Sequence, residues 1–288
     1  MAVVQRPTVR RRVLAANLRR LRLDTGLEQE DAARELACDL SKIFRIEKGE
    51  SGIRQVDLRL LLDLYGITDP KEREGWLLLA RESRKRRWWR SLEDQLPDDF
   101  LDLVGLEEDV THLRAFEPGI VHGLLQTEAY AEAVIGGGEP GPLSEEWQAR
   151  VRVRMERQTA LTRSEAPLKA WIILGEGALR QQNGGPAVLH DQLSHLVALT
   201  ELPNLTLQVL PFAAGAYPGG PYPFAIYRFP EPSKMEVVVL ENHTAPSYLE
   251  TPSDTGYYGD VFDRLRAAAL SPIDSQSFIG EVAKQLRQ

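Results

Sequence analysis

The segment from Gln29 to Gly49, which reads QEDAARELACDLSKIFRIEKG, constrains the fold of this chain more than any other. Its apolar residues recur at helical spacing in two short runs, Ala32, Ala33 and Leu36 and then Ile43 and Ile46. This pattern predicts two amphipathic helices that share a small core and are joined by a turn near Ala37–Asp39. Asp39 is placed to cap the second helix, and Gly49 is placed to end it.

The second predicted helix has side chains that the shared core does not use, namely Leu40, Ser41, Lys42, Phe44, Arg45 and Lys48. A helix that enters the major groove of DNA needs such outward side chains, so the segment is interpreted as a DNA-binding helix-turn-helix. An ordinary pair of amphipathic helices is the alternative, because such pairs are common and periodicity alone does not distinguish the two.

The wider run from Leu18 to Ile67 resembles the Xre family of phage-repressor-like DNA-binding domains. The residues that carry the resemblance are Leu21, Arg22, Gly26, Leu27, Gln29, Ala33, Leu36, Ile43, Ile46, Glu47 and Gly49. The resemblance implies about five helices, with a phosphate contact from Gln29 and a structural ion pair between Arg22 and Glu47. It further implies that bases are read by Leu40, Ser41, Lys42 and Arg45.

Two features depart from the pattern of that family. Glu28 stands where a serine or threonine usually caps the second helix, and its longer side chain caps less well. Leu40 and Phe44 are apolar where polar residues are common. We therefore expect contacts with thymine methyl groups in addition to contacts from Lys42 and Arg45.

Three further helices are predicted around this motif. The first runs from about Val9 to Thr25 and follows a short arm that ends in arginines. The fourth is predicted from the helical spacing of Val56, Leu60, Leu61 and Leu64. The fifth begins at Asp69 and Pro70 and extends to Trp89, through the basic, tryptophan-containing run RESRKRRWWRS.

Length and charge divide the chain into two domains, predicted at residues 1–90 and 98–288. Of the 35 Lys and Arg and 42 Asp and Glu, residues 1–90 hold 21 and 14, which leaves 14 and 28 for residues 91–288. The first part is therefore basic and the second acidic. A basic region on an acidic protein is typical of a local nucleic-acid footprint, and the acidic remainder is expected to face away from phosphate.

Cysteine and histidine usage argues against a metal or a disulfide. Cys38 is the single cysteine, so the chain has no internal disulfide and no thiolate pair for zinc, and we expect Cys38 to fill the helix-turn-helix core. The five histidines lack ligand-like spacing, and no cofactor-binding motif is found. No apolar run approaches the length of a membrane span, so a cytoplasmic protein without a membrane partner is predicted.

From Asp98 onwards the sequence predicts a mixed α+β domain. The predicted strands are 112–116, 168–174, 205–210, 224–229 and 236–240, and the predicted helices are 100–110, 128–135, 144–161, 188–202, 253–270 and 273–286. The helix at 144–161 is expected to present an exposed, ion-paired face of Arg150, Arg152, Arg154, Glu156 and Arg157.

Several segments of this domain resemble the domain that follows the helix-turn-helix in actinobacterial regulators of the WhiJ-like group. They include EPGIVHGLLQTEAYA, WIILGEGALR, LPNLTLQVLPF, GPYPFAIYRFPEP and FDRLRAAALSP. The resemblance implies control of differentiation, secondary metabolism or stress genes. It also implies a small partner protein encoded nearby, sometimes in a toxin–antitoxin-like pair.

The loop Pro211–Phe224 is rich in glycine, proline and aromatic residues, and Phe212, Tyr217, Tyr222 and Phe224 are the candidates for contact with a ligand or a protein partner. A rigid connection between two strands is the alternative. Glu176, which follows a predicted buried strand, is the one candidate acid or base, although a lone carboxylate is more often a cap or an ion-pair member.

Together these patterns predict a sequence-specific transcriptional regulator that binds an operator in double-stranded DNA as a homodimer. Its second domain is predicted to sense a small protein or a ligand and not to be an enzyme. Two alternatives remain open at this point: an enzyme domain fused to an autoregulatory helix-turn-helix, and an antitoxin-like partner of a small neighbouring protein.

Overall fold

The computed structural model describes residues 9–82, 96, 98–137, 144–217, 220–230, 235–242 and 246–286. They form two compact units. The first contains the described parts of Met1–Glu93, Asp98–Asp109 and Phe229–Met235, and the second contains the described remainder, with every strand found in it. The predicted fold class, an all-α N-terminal part followed by an α+β part, is confirmed.

The helices of the first unit are α1 (Val9–Asp24), α2 (Gln29–Glu35), α3 (Leu40–Glu47), α4 (Gln55–Leu64), α5 (Pro70–Glu82) and α6 (Asp98–Asp109). Two predicted N-caps are confirmed, because Asp39 accepts from the Ser41 N–H at 2.8 Å and Asp69 accepts from the Glu72 N–H at 2.8 Å. The predicted extension of α5 to Trp89 lies outside the described residues. The predicted border between residues 90 and 98 stays a prediction, and α6 groups with the first unit.

A hydrophobic core of the first unit is formed by residues of α1 through α5. Its largest buried members are Leu14, Leu18, Ile43, Ile46, Ile53, Leu58, Leu61, Leu62, Tyr65 and Trp76. Cys38 packs half-buried against this core, as expected of a small apolar residue. Every predicted apolar residue of the helix-turn-helix segment is buried in the core or packs against it.

The fourth helix is present, and of the four apolar residues whose spacing predicted it, Leu61 and Leu64 lie in or against the core. Val56 is 65% exposed and Leu60 is also exposed, whereas Leu58, Leu61 and Leu62 are buried. This helix has apolar residues on more than one side, so spacing alone does not decide which side is covered. The contacts of α4 with α2 and α5 decide it.

Gly49 ends α3 in a conformation that favours glycine, with φ at +73°. A Cβ atom at this position would lie 3.4 Å from backbone atoms of Arg11 and Arg12 in the first helix. That distance is an ordinary van der Waals contact, so it is the positive φ that favours glycine at this position.

The second unit is built on a six-stranded mixed sheet in the order β3-β2-β1-β4-β5-β6. Its strands are β1 (His112–Glu117), β2 (Lys169–Gly175), β3 (Leu205–Leu210), β4 (Phe224–Arg228), β5 (Glu236–Leu240) and β6 (Ser247–Leu249). The first three strands are parallel, and the last three join them in antiparallel pairs. Helical crossovers connect the parallel strands, as such strands require.

The helices of the second unit are α7 (Glu128–Ile135), α8 (Glu145–Arg157), α9 (Thr159–Thr162), α10 (Glu176–Arg180), α11 (Pro186–Leu199), α12 (Pro252–Ala268) and α13 (Pro272–Gln285). The sequence did not predict α10 or β6. One face of the sheet packs on α12, around a core of Phe116, Ile173, Phe224, Ile226, Val238, Val261, Phe262 and Leu265.

The helix predicted over 144–161 is in fact two helices, and its predicted charged face is only partly exposed. The helix is interrupted between α8 and α9, where the Thr159 hydroxyl donates to the Glu156 carbonyl at 2.7 Å. Such a bond competes with the helical backbone pattern. Arg157 is buried, and Arg154 donates to the Gln126 side chain at 2.9 Å. Arg157 therefore belongs to the interior of the second unit, and Arg154 is half-buried.

The observed burial on α4 leads to a stability prediction. Leu62→Ala should lower the unfolding free energy of the first unit by about 2–5 kcal/mol, because it removes a buried side chain and leaves a cavity. Val56→Ala on the same helix should change it by less than about 0.5 kcal/mol. Hydrogen exchange of the α4 amides measures both values in the full chain. Equal effects of the two substitutions would contradict the observed burial.

Candidate nucleic-acid interface

The helices α2 and α3 are joined by a tight turn over residues 36–39. Ala37 adopts a left-handed φ of 45°, which costs an alanine roughly 1–2 kcal/mol. The bond from the Cys38 N–H to the Ala33 carbonyl, at 3.0 Å, closes the turn over the end of α2. At the other end of α2, the Asp31 carboxylate accepts from the Glu28 backbone N–H at 2.9 Å. The turn therefore fixes the direction in which α3 leaves α2.

One side of α3 is exposed, and we call it the α3 face; it consists of Leu40, Ser41, Phe44, Arg45 and Lys48. The Lys48 Nζ lies 4.3 Å from the centre of the Phe44 ring, and the Arg45 Nε donates to the Ser41 carbonyl at 3.3 Å. The one acidic residue of α3, Glu47, is buried. The face thus presents two cations, two apolar side chains and a hydroxyl, with no carboxylate of its own helix.

The pKa of the Asp39 carboxyl, which caps α3, is lowered by its hydrogen bonds from Ser41. The carboxylate therefore remains charged at neutral pH. A negative charge at this position stabilises the N-terminus of α3, where the first backbone N–H groups of the helix would otherwise lack an acceptor.

Lys42 is not part of the α3 face. Its Nζ lies 2.8 Å from the Oδ2 of Asp57 on α4, and its side chain is half-buried. Asp57 also accepts from Arg54, from Nη2 at 2.8 Å and from Nε at 3.2 Å. Burial raises the pKa of the Asp57 carboxyl, but the hydrogen bonds from Arg54 and Lys42 outweigh this effect and leave the pKa below its ordinary value.

The side chains of Arg22 and Glu47 form a buried ion pair behind α3. Arg22 Nε lies 2.7 Å from Glu47 Oε1, and Arg22 Nη2 lies 3.0 Å from Glu47 Oε2. Arg22 Nη1 also donates to the Leu27 carbonyl at 2.7 Å. The hydrogen bond with Glu47 is the largest cause that raises the pKa of Arg22 above its ordinary value. The pair ties α1 to the last turn of α3.

Gln29 at the start of α2 joins this network, because its Nε2 donates to Glu47 Oε2 at 2.8 Å. The amide nitrogen carries two N–H donors, and this bond uses one of them. The structure therefore gives Gln29 a bracing role behind α3, which is in addition to the phosphate contact that the resemblance implies.

The four aromatic candidates of the second unit divide into two pairs. Phe224 is buried in the core, and Tyr217 lies edge-on to the Phe116 ring at 5.6 Å between centres. Phe224 is therefore not available to a ligand or a protein partner at the surface, since it is the first residue of β4 and its side chain is in the sheet core. Phe212 and Tyr222 are 65% and 72% exposed.

Glu176 holds the start of the loop that contains these aromatic residues. Its Oε2 accepts from the Phe212 N–H at 2.8 Å, and its Oε1 accepts from Arg180 Nε at 2.6 Å. Burial raises the pKa of the Glu176 carboxyl, but these bonds lower it below its ordinary value. One oxygen fixes the loop and the other pairs with Arg180 on the same helix, which fits an ion-pair member better than a catalytic acid.

Sequence reasoning missed that Lys42 and Arg54 share the carboxylate of Asp57. The signal for Asp57 was present, because a carboxylate between Val56 and Leu58 in the leucine-rich run QVDLRLLLDL needs a reason to be there. A buried charge is normally paired, so its neighbours in the fold were the residues to look for. Arg54 carried no distinguishing signal of its own, since exposed arginines before a helix are common.

Two further observations concern the described part of the chain. No helix there is both long and apolar enough to cross a membrane. No group of three or more His, Cys, Asp or Glu residues there is arranged to hold a metal ion.

Two family models match the chain. A model described as a helix-turn-helix domain matches residues 13–76, which include α2, the turn and α3. A model described as a domain of unknown function, DUF5753, matches residues 100–281, which is more than half of the chain. No curated protein and no solved structure matches the chain.

The buried ion pair leads to a second stability prediction. Glu47→Ala should destabilise the first unit by about 3–5 kcal/mol, because it leaves the buried guanidinium of Arg22 without its counter-charge. Arg34→Ala breaks the exposed pair with Asp31 and should cost less than about 1 kcal/mol. Hydrogen exchange of the α1 and α3 amides in the full chain gives both values. A small effect of Glu47→Ala would mean that the pair does not hold α1 to α3.

Proposed function

The chain belongs to the family defined by the domain of unknown function DUF5753, and because a helix-turn-helix domain precedes that domain here, we propose that it regulates transcription by reading an operator with α3. The helix-turn-helix match supports a DNA-binding regulator and not an enzyme. The α3 face is the observation that carries the specific form of the proposal.

The α3 face has the chemistry that the major groove requires. Arg45 offers two nitrogen donors that suit the paired acceptors of guanine, and Ser41 offers a hydroxyl to either a donor or an acceptor. Leu40 and Phe44 suit the methyl group of thymine. Lys48, stacked on Phe44, adds a cation for a phosphate. We therefore assign base reading to Arg45, Ser41, Leu40 and Phe44.

The protein binds its operator as a homodimer in this proposal. One recognition helix reads only a few base pairs, and two copies on half-sites one helical turn apart supply the selectivity that a genome demands. The exposed apolar side chains of Val56 and Leu60 on α4 support an interface with a second copy. These properties fit a member of the Xre family, and the WhiJ-like group in actinobacteria is the proposed relative.

The second unit receives the regulatory signal from a small protein encoded nearby. Residues 110–228 and 236–288 of this unit hold 13 basic and 19 acidic residues, so this part is suited to contact a basic partner and unsuited to contact phosphate. The exposed rings of Phe212 and Tyr222 supply the kind of aromatic surface that is enriched at protein interfaces. Their loop is held at one end by Glu176, which limits the ordering that binding would require.

Substitution of Arg45 tests the DNA-reading proposal. A duplex selected from a random pool by the wild-type chain serves as the operator. Arg45→Ala should weaken binding to it by about 1–3 kcal/mol and relax the base preference at one position of each half-site. Arg59→Ala removes the same charge from the exposed side of α4 and should leave the base preference unchanged. Gel-shift titration gives affinity and stoichiometry, and two copies per duplex are expected.

Unchanged affinity and base preference in Arg45→Ala would show that α3 is not the reading helix. One copy per duplex would contradict the homodimer while leaving the reading helix in place.

Substitution of the two exposed rings tests the partner proposal. The chain is co-expressed with the product of each adjacent small reading frame. The double variant Phe212→Ser and Tyr222→Ser should lose co-purification of the partner, because it removes the aromatic surface without altering the core. Tyr257→Ser, at another exposed tyrosine in the second unit, should retain it. Retention of the partner by the double variant would place the binding surface elsewhere.

A further inference from the structure

Asp57 brings together two cations from different elements, Lys42 on α3 and Arg54 immediately before α4. Its carboxylate is 4% exposed, whereas the side chains of Lys42 and Arg54 are 31% and 75% exposed. The three groups form a layered arrangement. The carboxylate lies innermost, the ammonium is half covered, and the guanidinium lies in solvent.

The position of Lys42 follows from the burial of Asp57. An ionised carboxylate inside a protein must be neutralised by close donors, and removal of its partners would leave it at high cost. The Nζ of Lys42 satisfies Oδ2 at 2.8 Å and holds the long side chain against α4. An ammonium fixed in this way would have to abandon a buried charge in order to contact a base or a phosphate.

Arg54 stands differently towards the same carboxylate. It donates with Nε and Nη2, along one edge of the guanidinium, which fixes the plane of the group. The opposite edge of the guanidinium carries Nη1, and the Arg54 side chain as a whole is exposed. A guanidinium held by a carboxylate on one edge loses little freedom when its other edge binds an anion. The three groups together carry one net positive charge, and Arg54 is the most exposed of the three side chains.

We propose that Asp57 is a positioning residue of the DNA interface, which withdraws Lys42 from the operator and presents Arg54 to a backbone phosphate. This inference rests on the proposed DNA-reading function. It assigns Lys42 to the support of α3 and not to base reading. It adds Arg54, which lies outside the helix-turn-helix segment, as a phosphate contact. The distances within the trio, and the order of exposure from Asp57 to Arg54, carry the assignment.

The salt dependence of DNA binding separates these roles. Log affinity for duplex DNA falls linearly with log salt concentration, and each phosphate that a protein cation neutralises makes this slope steeper by about 0.9. The full chain is titrated with the selected duplex across a salt series, with Lys42→Met and Arg54→Met as a matched pair. Each substitution removes one cation and keeps an unbranched side chain. Arg54→Met should reduce the magnitude of this slope by about 0.9, and Lys42→Met should leave both the slope and the base preference unchanged.

Asp57→Asn tests whether the ion pair with Asp57 is the reason that Lys42 does not contribute to the salt dependence of DNA binding. Without the carboxylate charge the ammonium is released, so Lys42→Met introduced into the Asp57→Asn chain should lower the slope by about 0.9. Circular dichroism and hydrogen exchange of α3 establish that each variant is folded. If Asp57→Asn does not fold, the matched pair in the wild-type background decides the question alone.

Three results would overturn the inference. Equal loss of slope in Lys42→Met and Arg54→Met would mean that both cations contact phosphate. A changed base preference in Lys42→Met would return Lys42 to the reading face. No further loss in the folded double variant would mean that Asp57 does not withdraw Lys42. Failure of the wild-type chain to select any duplex would instead overturn the proposed function, and this inference with it.

Discussion

The carboxylate of Glu47 holds the first three helices in one arrangement, because it accepts from Arg22 on α1 and from Gln29 on α2 while it belongs to α3. A charge buried in this way is tolerated only when every donor is in place. Tyr65 lies near the same charge, and burial followed by the charge of Glu47 raises the pKa of its hydroxyl. A small displacement of α3 would break several of these bonds together. The orientation of the α3 face therefore depends on a group that never reaches its surface.

The helix-turn-helix was predictable because its signals are local. Caps such as Asp39, the apolar spacing of α2 and α3, and the glycine at position 49 act within one or two helical turns, so the sequence contains them directly. The covered side of α4 was not predictable in the same way. Its buried residues, including Leu58, are selected by α2 and α5, which lie elsewhere in the sequence. The ion pair of Lys42 was not predictable for the same reason, since its partner Asp57 lies on another helix.

In the second unit most strands and helices were predictable, but their arrangement was not. The strand order places β1 between β2 and β4, and neither neighbour can be read from the residues of β1. The short strand Ser247–Leu249 carries too few residues to show alternation. Among the loop aromatics, Phe224 and Phe212 look alike in the sequence. One begins a buried strand and the other lies in solvent, and only the sheet register separates them.

The strand order also bears on how this chain is made. His112 in β1 pairs with Arg228 in β4, more than a hundred residues later, whereas α1 to α5 are made before β1 appears. At about 5–20 residues per second, a ribosome needs roughly 5–25 s to deliver the missing neighbour. Throughout that interval β1 keeps at least one open edge, which is the type of site that other chains join by mistake. A nascent chain of this protein can therefore hold the helices of its DNA reader while its sheet still needs protection, and slow translation between β3 and β4 would lengthen that exposure.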